Sequence, residues 1–331
     1  MSEALSDREL IEALGGRLDD HEITGLRRRP YRYATSAPLE EIVVVAGGEE
    51  RGPLILKDLS RDRLLGNAPA AKPGFLYEPR REVETYRRIL APAGIGPRCL
   101  AAVAPPSASR SWLLLEKVPG VELWQIGEMG VWEDVARWLG GFHARFADDL
   151  DELRAVNSHL LEYSAAWFRS WRERAAAAME KAPDERGRAL LVALQRYEEV
   201  VDVLAQLPRT LVHGELYPSN VLVVRDERPP GVHPVDWEMS GIGPGLLDLA
   251  ALAGGWARRE RDLLARAYLN GLCATGGSGW ELEELRAQLS RCRLHLALQW
   301  LGWSPDWRPP PEHAHDWLGE ALELTRELGL S

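Results

Sequence analysis

Apolar positions alternate or cluster in short runs over the first 120 residues, and then recur at helical spacing over much of the remaining chain. Residues 1 to about 26 read as one or two short helices, because "SDRELIEALGG" opens on a Ser cap candidate and closes on Gly15 and Gly16. In "YRYATSAPLEEIVVVAGGEERGPLILKDL" the breaks at "TSAP" and "GGEERGP" separate apolar runs, which predicts three antiparallel strands with Lys57 at the end of the third. "EPRREVETYRRILAPAGIGP" carries Val83, Tyr86, Ile89 and Leu90 at helical spacing and stops in Pro and Gly, which predicts one helix. Two more strands flank the Pro/Ser turn of "AAVAPPSASRSWLLLEKVPG".

After Gly120 the pattern becomes helical for nearly ninety residues. In "VWEDVARWLGGFHARF", Trp132, Val135, Trp138, Leu139, Phe142 and Phe146 share one face, as a core-packed helix requires, and His143 lies beside that face as a satisfied histidine. Amphipathic helices over roughly 158–181 and 185–206 lead into "LVHGELYPSNVLVV", read as strand, tight loop, strand. Next comes a hairpin whose turn holds Pro229, Pro230 and Gly231, and beyond Gly245 the chain reads helical, broken by "ATGGSG" and "SPDWRPPP". The expected fold is α+β and bilobal. An antiparallel sheet lobe with one helix spans 1–120, and a mainly helical lobe spans 121–331.

Composition narrows the chemistry. Apolar residues at 45% and charged residues at 27% suit a soluble globule, and a formal net charge of -10 argues against a nucleic-acid binder that needs a basic face. Cys99, Cys273 and Cys292 form no CxxC pattern, so free thiols are expected and neither a disulfide framework nor a zinc site. His313 and His315 lack further ligands at a fitting spacing. The basic run Arg27, Arg28, Arg29 and Arg32 reads as a solvated strand edge. No window reaches the ~18 uninterrupted apolar residues of a membrane span, and the early acidic residues do not suit a signal peptide. A cytoplasmic protein with no membrane partner is expected.

A small sheet with a lysine and a helix, then a helical lobe with a strand–loop–strand element, is the order of parts in protein-kinase-like folds. Phosphoryl transfer relies on charge and position: groups that hold Mg²⁺, a lysine on the phosphates, and a carboxylate that orients or deprotonates the acceptor. His213, Glu215 and Asn220 keep the spacing of the kinase loop H-R-D-x-x-x-x-N, and Asp236 comes after it in "HPVDWE". Gly214 and the "DWE" context depart from protein kinases. They resemble the aminoglycoside phosphotransferase and choline kinase family, whose loop reads H-G-D-x-x-x-x-N and whose metal aspartate lies in a D-W-E context. "LILKDL", "REVETY", "LLLEKVPG" and "GIGPGLLDLAAL" extend the resemblance over most of the chain.

The resemblance implies that Lys57, paired with Glu82, contacts the α/β-phosphates and that Asn220 and Asp236 hold Mg²⁺. It also implies that backbone groups near Glu116 and Val118 hold adenine, that the "TSAP" turn with Ser36 covers the phosphates, and that His213 scaffolds the loop. Asp248 is expected to cap the helix after it or to bond to the loop. Glu215 stands where the family has aspartate, and its carboxylate reaches about 1.5 Å further.

In such a family the acceptor lies toward the C-terminal helices, where Trp300, Trp303, Trp307 and Trp317 cluster. Indole faces suit sugar rings or amines, and Trp307 and Trp303 are the pocket candidates. The expected activity is ATP- or GTP-dependent transfer of the γ-phosphoryl group to a hydroxyl of an aminoglycoside, another sugar-containing metabolite or an amino alcohol. The alternatives are a weak or inactive nucleotide-binding pseudoenzyme and a kinase acting on Ser or Thr of a peptide.

Overall fold

The computed structural model describes residues 5–31, 36–66, 68–106, 110–181, 184–226, 229–274, 280–303 and 315–330. The chain forms two compact units, one of Met1–Gly120 with His233–Glu238 and one of Val121–Val232 with Met239–Ser331. A linear division at Gly120 thus leaves out one piece: the segment around Asp236 packs with the first unit.

The first unit opens with helix α1 (Asp7–Ala13), whose N-terminus is closed by a reciprocal Ser6–Glu9 capping box. Strand β1 (Arg17–Leu18) turns directly into β2 (His21–Pro30). Residues 17–26 therefore form a hairpin of strands around a two-residue turn, where the sequence pattern suggested helix. The reason is local: Gly15 and Gly16 both take positive φ and end α1. Asp19 and Asp20, also at positive φ, then form the two-residue link that a tight hairpin requires. Strands β3 (Leu39–Ala46) and β4 (Glu49–Asp58) come next, as expected. The first of the three strands expected over "YRYA" falls largely on residues 32–35, outside the described residues.

Between β4 and the predicted helix the chain makes helical turns at Arg61–Arg63 and Gly74–Leu76 around a short helix α2 (Ala68–Ala71). Helix α3 (Pro79–Glu84) continues through a π-turn over Thr85–Leu90 into α4 (Ala91–Ala93), so the predicted single helix is continuous with one wide turn. Strands β5 (Cys99–Val103) and β6 (Trp112–Glu116) complete an antiparallel sheet of order β1-β2-β3-β4-β6-β5. Leu54 and Leu56 of β4 join Ile42, Val44, Trp112 and Leu114 under Leu5 and Leu10, forming the core of one face. Strand alternation sends Lys57 to the opposite face, which α3 covers.

The second unit begins with β7 (Val121–Glu122) and helices α5 (Met129–Arg145) and α6 (Leu150–Val156). The next elements are β8 (Leu161–Glu162), α7 (Ala165–Lys181), α8 (Glu185–Ala193) and α9 (Glu198–Leu204). Strands β9 (Arg209–Val212) and β10 (Val221–Val224) frame the loop of interest, and β11 (Gly231–Pro234) carries the chain into the first unit. Strand β12 (Gly241–Pro244) precedes α10 (Leu246–Leu252), α11 (Arg258–Ala274), α12 (Leu282–Leu301) and α13 (Trp317–Glu327). Strand β12 pairs parallel to β8 and antiparallel to β9. Because residues 161–162 are in that sheet, the helix expected from 158 starts at Ala165.

Helices α5 and α11 touch backbone to backbone. A Cβ on Gly140 would lie 2.2 Å from the Tyr268 carbonyl oxygen, and one on Gly271 would lie 2.0 Å from that of Arg137. This contact brings His143 against Tyr268. The three cysteines are free of disulfides, and among the described residues no helix is long and apolar enough to cross a membrane.

Candidate active site

Lys57 comes from the end of β4, Glu82 from α3, and Asp236 from the turn after β11; all belong to the first unit. The ammonium donates to both carboxylate oxygens of Glu82 at 2.9 Å and to Oδ1 of Asp236 at 2.6 Å. The Glu82 side chain is 2% exposed and that of Lys57 11%, whereas Asp236 keeps 34% of its side chain in solvent. Burial works against the charged lysine, but Asp236, Glu82 and Glu238 outweigh it and hold the ammonium well above its usual pKa. Burial pushes the Glu82 carboxyl up to about 7 against the pull of Lys57, with Asp236 and Glu238 adding to the rise. One buried ammonium thus faces an excess of negative charge. Asp236 has φ +69, a left-handed backbone that Asp tolerates better than most side chains.

Ser36, from the predicted "TSAP" turn, lines a cavity with Lys72, Glu82 and Glu238, and its carbonyl accepts from the Leu65 N–H at 2.9 Å. Glu116 ends β6 opposite Leu54 and its carboxylate meets Arg98 at 3.2 Å, while Val118 is buried.

In the second unit the loop from His213 to Asn220 is held from within and from below. Gly214 takes φ +84, and a Cβ there would lie 2.1 Å from the Tyr163 hydroxyl and 2.4 Å from the Met239 carbonyl oxygen, so only glycine fits. The backbone N–H groups of His213 and Gly214 donate to the two oxygens of Asp248, at 2.7 and 2.8 Å. Asp248 is fully buried and also meets Nε2 of His143 at 3.2 Å, whose Nδ1 meets the Tyr268 hydroxyl at 2.9 Å. Of the two roles expected for it, Asp248 therefore takes the bond to the loop; the N-cap of its own helix is Gly245, with no side-chain cap bond.

Glu215 is partly buried. Its carbonyl accepts from the Tyr217 N–H at 2.7 Å and from Nδ2 of Asn220 at 2.9 Å, and its N–H donates to Nδ1 of His213 at 3.3 Å. The bond from Nδ2 to the Glu215 carbonyl fixes the orientation of the Asn220 side chain, whose Oδ1 is its acceptor oxygen.

The aromatic cluster divides. Trp303 is 8% exposed and stacks on Trp171 at 5.7 Å, and Arg174 holds its carbonyl at 2.8 Å, so it belongs to the core. Trp307 lies outside the described residues. Trp300 is half-buried, stacks on Trp317 at 5.5 Å and donates from Nε1 to the Tyr217 hydroxyl at 2.6 Å. Burial, then the nearby Glu215, push the Tyr217 phenol far up, so it stays neutral.

Sequence reasoning does not single out Lys72, Arg81, Tyr217 or Trp300 as partners of the two clusters. Lys72 and its partner Glu238 are 166 residues apart, and neither spacing nor periodicity marks such a pair. Tyr217 stands in the His213–Asn220 loop, where its position beside Glu215 is the available signal.

No curated protein matches the chain by sequence. Among solved structures it resembles choline kinase from Cryptosporidium parvum Iowa II, at 16% identity and TM-score 0.61 over 92% of this chain and 91% of that one. It also resembles aminoglycoside 2'-phosphotransferase-IIIa in a GDP complex, at 13% identity and TM-score 0.58 over 98% and 97% of the two chains. A third is spectinomycin phosphotransferase in complex with ADP and spectinomycin, at 12% identity and TM-score 0.54 over 99% and 100%. At such identities the likeness establishes the protein-kinase-like fold. The family comes from the sequence: residues 43–288 match the phosphotransferase enzyme family, and the chain belongs to it as a kinase-type phosphotransferase.

Proposed function

We propose that this protein transfers the γ-phosphoryl group of ATP or GTP to a hydroxyl of a small molecule, with Glu215 as the carboxylate that orients and deprotonates the acceptor. The observation that carries the reading is the bridging of Glu82 and Asp236 by Lys57, which gathers three charges from distant parts of the sequence. An ammonium held charged by a buried and a partly exposed carboxylate suits phosphate oxygens, with Glu82 fixing its direction. GDP and ADP in the complexes of related folds agree with a nucleotide co-substrate.

Each proposed ligand, taken by itself, is of the kind that Mg²⁺ takes. Asp236 offers a partly exposed carboxylate and Asn220 an amide oxygen oriented by its own Nδ2 bond; hard oxygen donors are what this ion takes. Bound there, Mg²⁺ would neutralise phosphate charge. Ser36 covers the phosphates in this reading, and backbone groups near Glu116 and Val118 take the base.

Glu215 acts on the acceptor. The transition state is loose, so the carboxylate works mainly by positioning, and a glutamate is suitable where the acceptor sits to match its reach. Loop anchoring at its backbone by His213, Tyr217 and Asn220 limits where that carboxylate can be. Trp300, half-buried beside Tyr217, and Trp317, stacked on Trp300, are better placed to wall the acceptor than Trp303.

The test is Mg²⁺-dependent turnover of ATP and of GTP across a panel of aminoglycosides, amino alcohols and sugar metabolites, with phosphorylated acceptor measured by mass spectrometry. Asp236→Ala should abolish metal-dependent nucleotide binding. Mg·ATP and Mg·GTP affinities in that variant equal to those of the wild type would overturn the assignment. Tight nucleotide binding with no transfer to any acceptor would leave the pseudoenzyme.

A further inference from the structure

The turn that carries Asp236 is gripped at Asp236 and at Glu238 by cations of its own unit. Lys57 holds the Asp236 carboxylate. The Trp237 indole is fully buried and donates from Nε1 to the Pro234 carbonyl at 3.2 Å, closing the underside of the turn. At Glu238, Lys72 takes the side chain and Arg81 the backbone. The ammonium of Lys72 bonds to Oε2 of Glu238, with the two side chains 12% and 20% exposed. The guanidinium of Arg81, itself 3% exposed, donates from Nη1 to the Glu238 carbonyl at 2.6 Å and to the Leu76 carbonyl at 3.0 Å.

Arg81 precedes Glu82 on α3, so one helical step separates the partner of Lys57 from the anchor of the turn. Lys72 and Leu76 come from the segment between β4 and α3, which the strand–helix order of the unit does not itself require. That segment has a use if it braces a turn in which Asp236 takes a left-handed backbone. Such a backbone carries a cost in a non-glycine residue, smaller for Asp than for most, that surrounding bonds can offset.

We propose that Lys72 and Arg81 are positioning residues for metal–nucleotide binding: by holding Glu238 they keep Asp236 in its left-handed form with its carboxylate beside Lys57. This rests on the assignment of Asp236 as a metal ligand. Neither residue touches nucleotide in this role. Both act through Asp236, as groups beyond a metal's direct ligands do when they orient those ligands.

The experiment is calorimetric titration of Mg·ADP and Mg·GDP into wild type, Lys72→Met, Lys72→Arg, Glu238→Gln and the charge swap K72E/E238K. The same nucleotides are titrated in EDTA, and melting temperature is recorded throughout. Lys72→Met and Glu238→Gln should each weaken the metal–nucleotide complex by ~10-fold or more. Affinity for metal-free nucleotide should hardly change. Lys72→Arg should keep most of the affinity, and the swap should regain part of what each single change loses.

A purely structural role would lower the melting temperature and weaken both titrations together. Unchanged Mg·nucleotide affinity in Lys72→Met would overturn the proposal, and tighter affinity would do so too, since it would make Lys72 a competitor of the cation. Asp236→Ala is the reference: if it also binds normally, the metal assignment itself fails, whereas its loss beside a normal Lys72→Met sinks only the positioning role. Arg81→Lys adds a second arm, losing the Nη1 group that bonds both carbonyls; if it does not fold, the Lys72 variants decide the matter alone.

Discussion

The carboxylate of Asp248 accepts the backbone N–H of His213 at 2.7 Å from 35 residues further along the chain. Its second oxygen takes the N–H of Gly214 at 2.8 Å, so a fully buried side chain sets the start of the loop that carries Glu215 and Asn220. Asp248→Ala should lower stability by ~3 kcal/mol or more, because two buried N–H groups and His143 lose their shared hydrogen-bond partner. Asp248→Asn keeps one acceptor oxygen and should fall between. Denaturant unfolding measures both, and a change under about 1 kcal/mol in the alanine variant would contradict the role.

Gly214→Ala should reduce turnover by ~100-fold or more, through a displacement of Glu215 on the order of 1 Å. The added methyl meets the Met239 carbonyl oxygen at 2.4 Å, which is backbone and cannot swing away. Combining it with Tyr163→Phe removes only the hydroxyl contact, and that double variant should not recover.

Lys57→Met should weaken nucleotide binding and also destabilise the fold. A strand-end lysine read from sequence alone carries little of the core, but this one is buried on Glu82. Removing one partner of a buried ion pair costs ~3–5 kcal/mol, and the paired change Lys57→Met with Glu82→Gln should recover much of it. Thermal melting of the two variants separates this from a loss of nucleotide contact alone.

Glu215→Gln should lower turnover by ~100-fold or more while nucleotide affinity barely moves, since shape is kept and the base is lost. Glu215→Asp places its oxygens about 1.5 Å short and should also lose activity. Higher transfer by the aspartate variant would mark the loop as one built for the shorter side chain.

His295 is fully buried, meets the Tyr197 hydroxyl at 3.2 Å, and packs edge-on to Phe168. Burial lowers its pKa to about 3 from an ordinary value of 6.5. The unfolded chain therefore binds the extra proton first as acid is added. The stability this group contributes is complete above pH ~6.5 and is lost as the pH falls toward ~3, by up to ~5 kcal/mol. Replacement by Phe or Gln should flatten the pH dependence of unfolding in that window; an unchanged slope would show that His295 is not its source.

Local signals were enough for much of this protein. The spacing of His213, Glu215 and Asn220, the strand before Lys57, and the helical face through Val83 and Tyr86 are short-range patterns, because strand alternation, helix period and turn chemistry act over a few residues. For the same reason the helices of the second unit were visible. The two-residue turn at Asp19–Asp20 was local too, but the arginine-rich strand after it lacks clean alternation. Strands β8 and β12 were not visible at all: two and four residues long, they are strands only because they pair with each other and with β9. Tertiary structure alone decided that Asp236 joins the first unit, that Asp248 anchors Gly214, and that Lys72 and Arg81 share Glu238. Those bonds depend on charge and burial between residues far apart in sequence, and no period along the chain records a contact made only once.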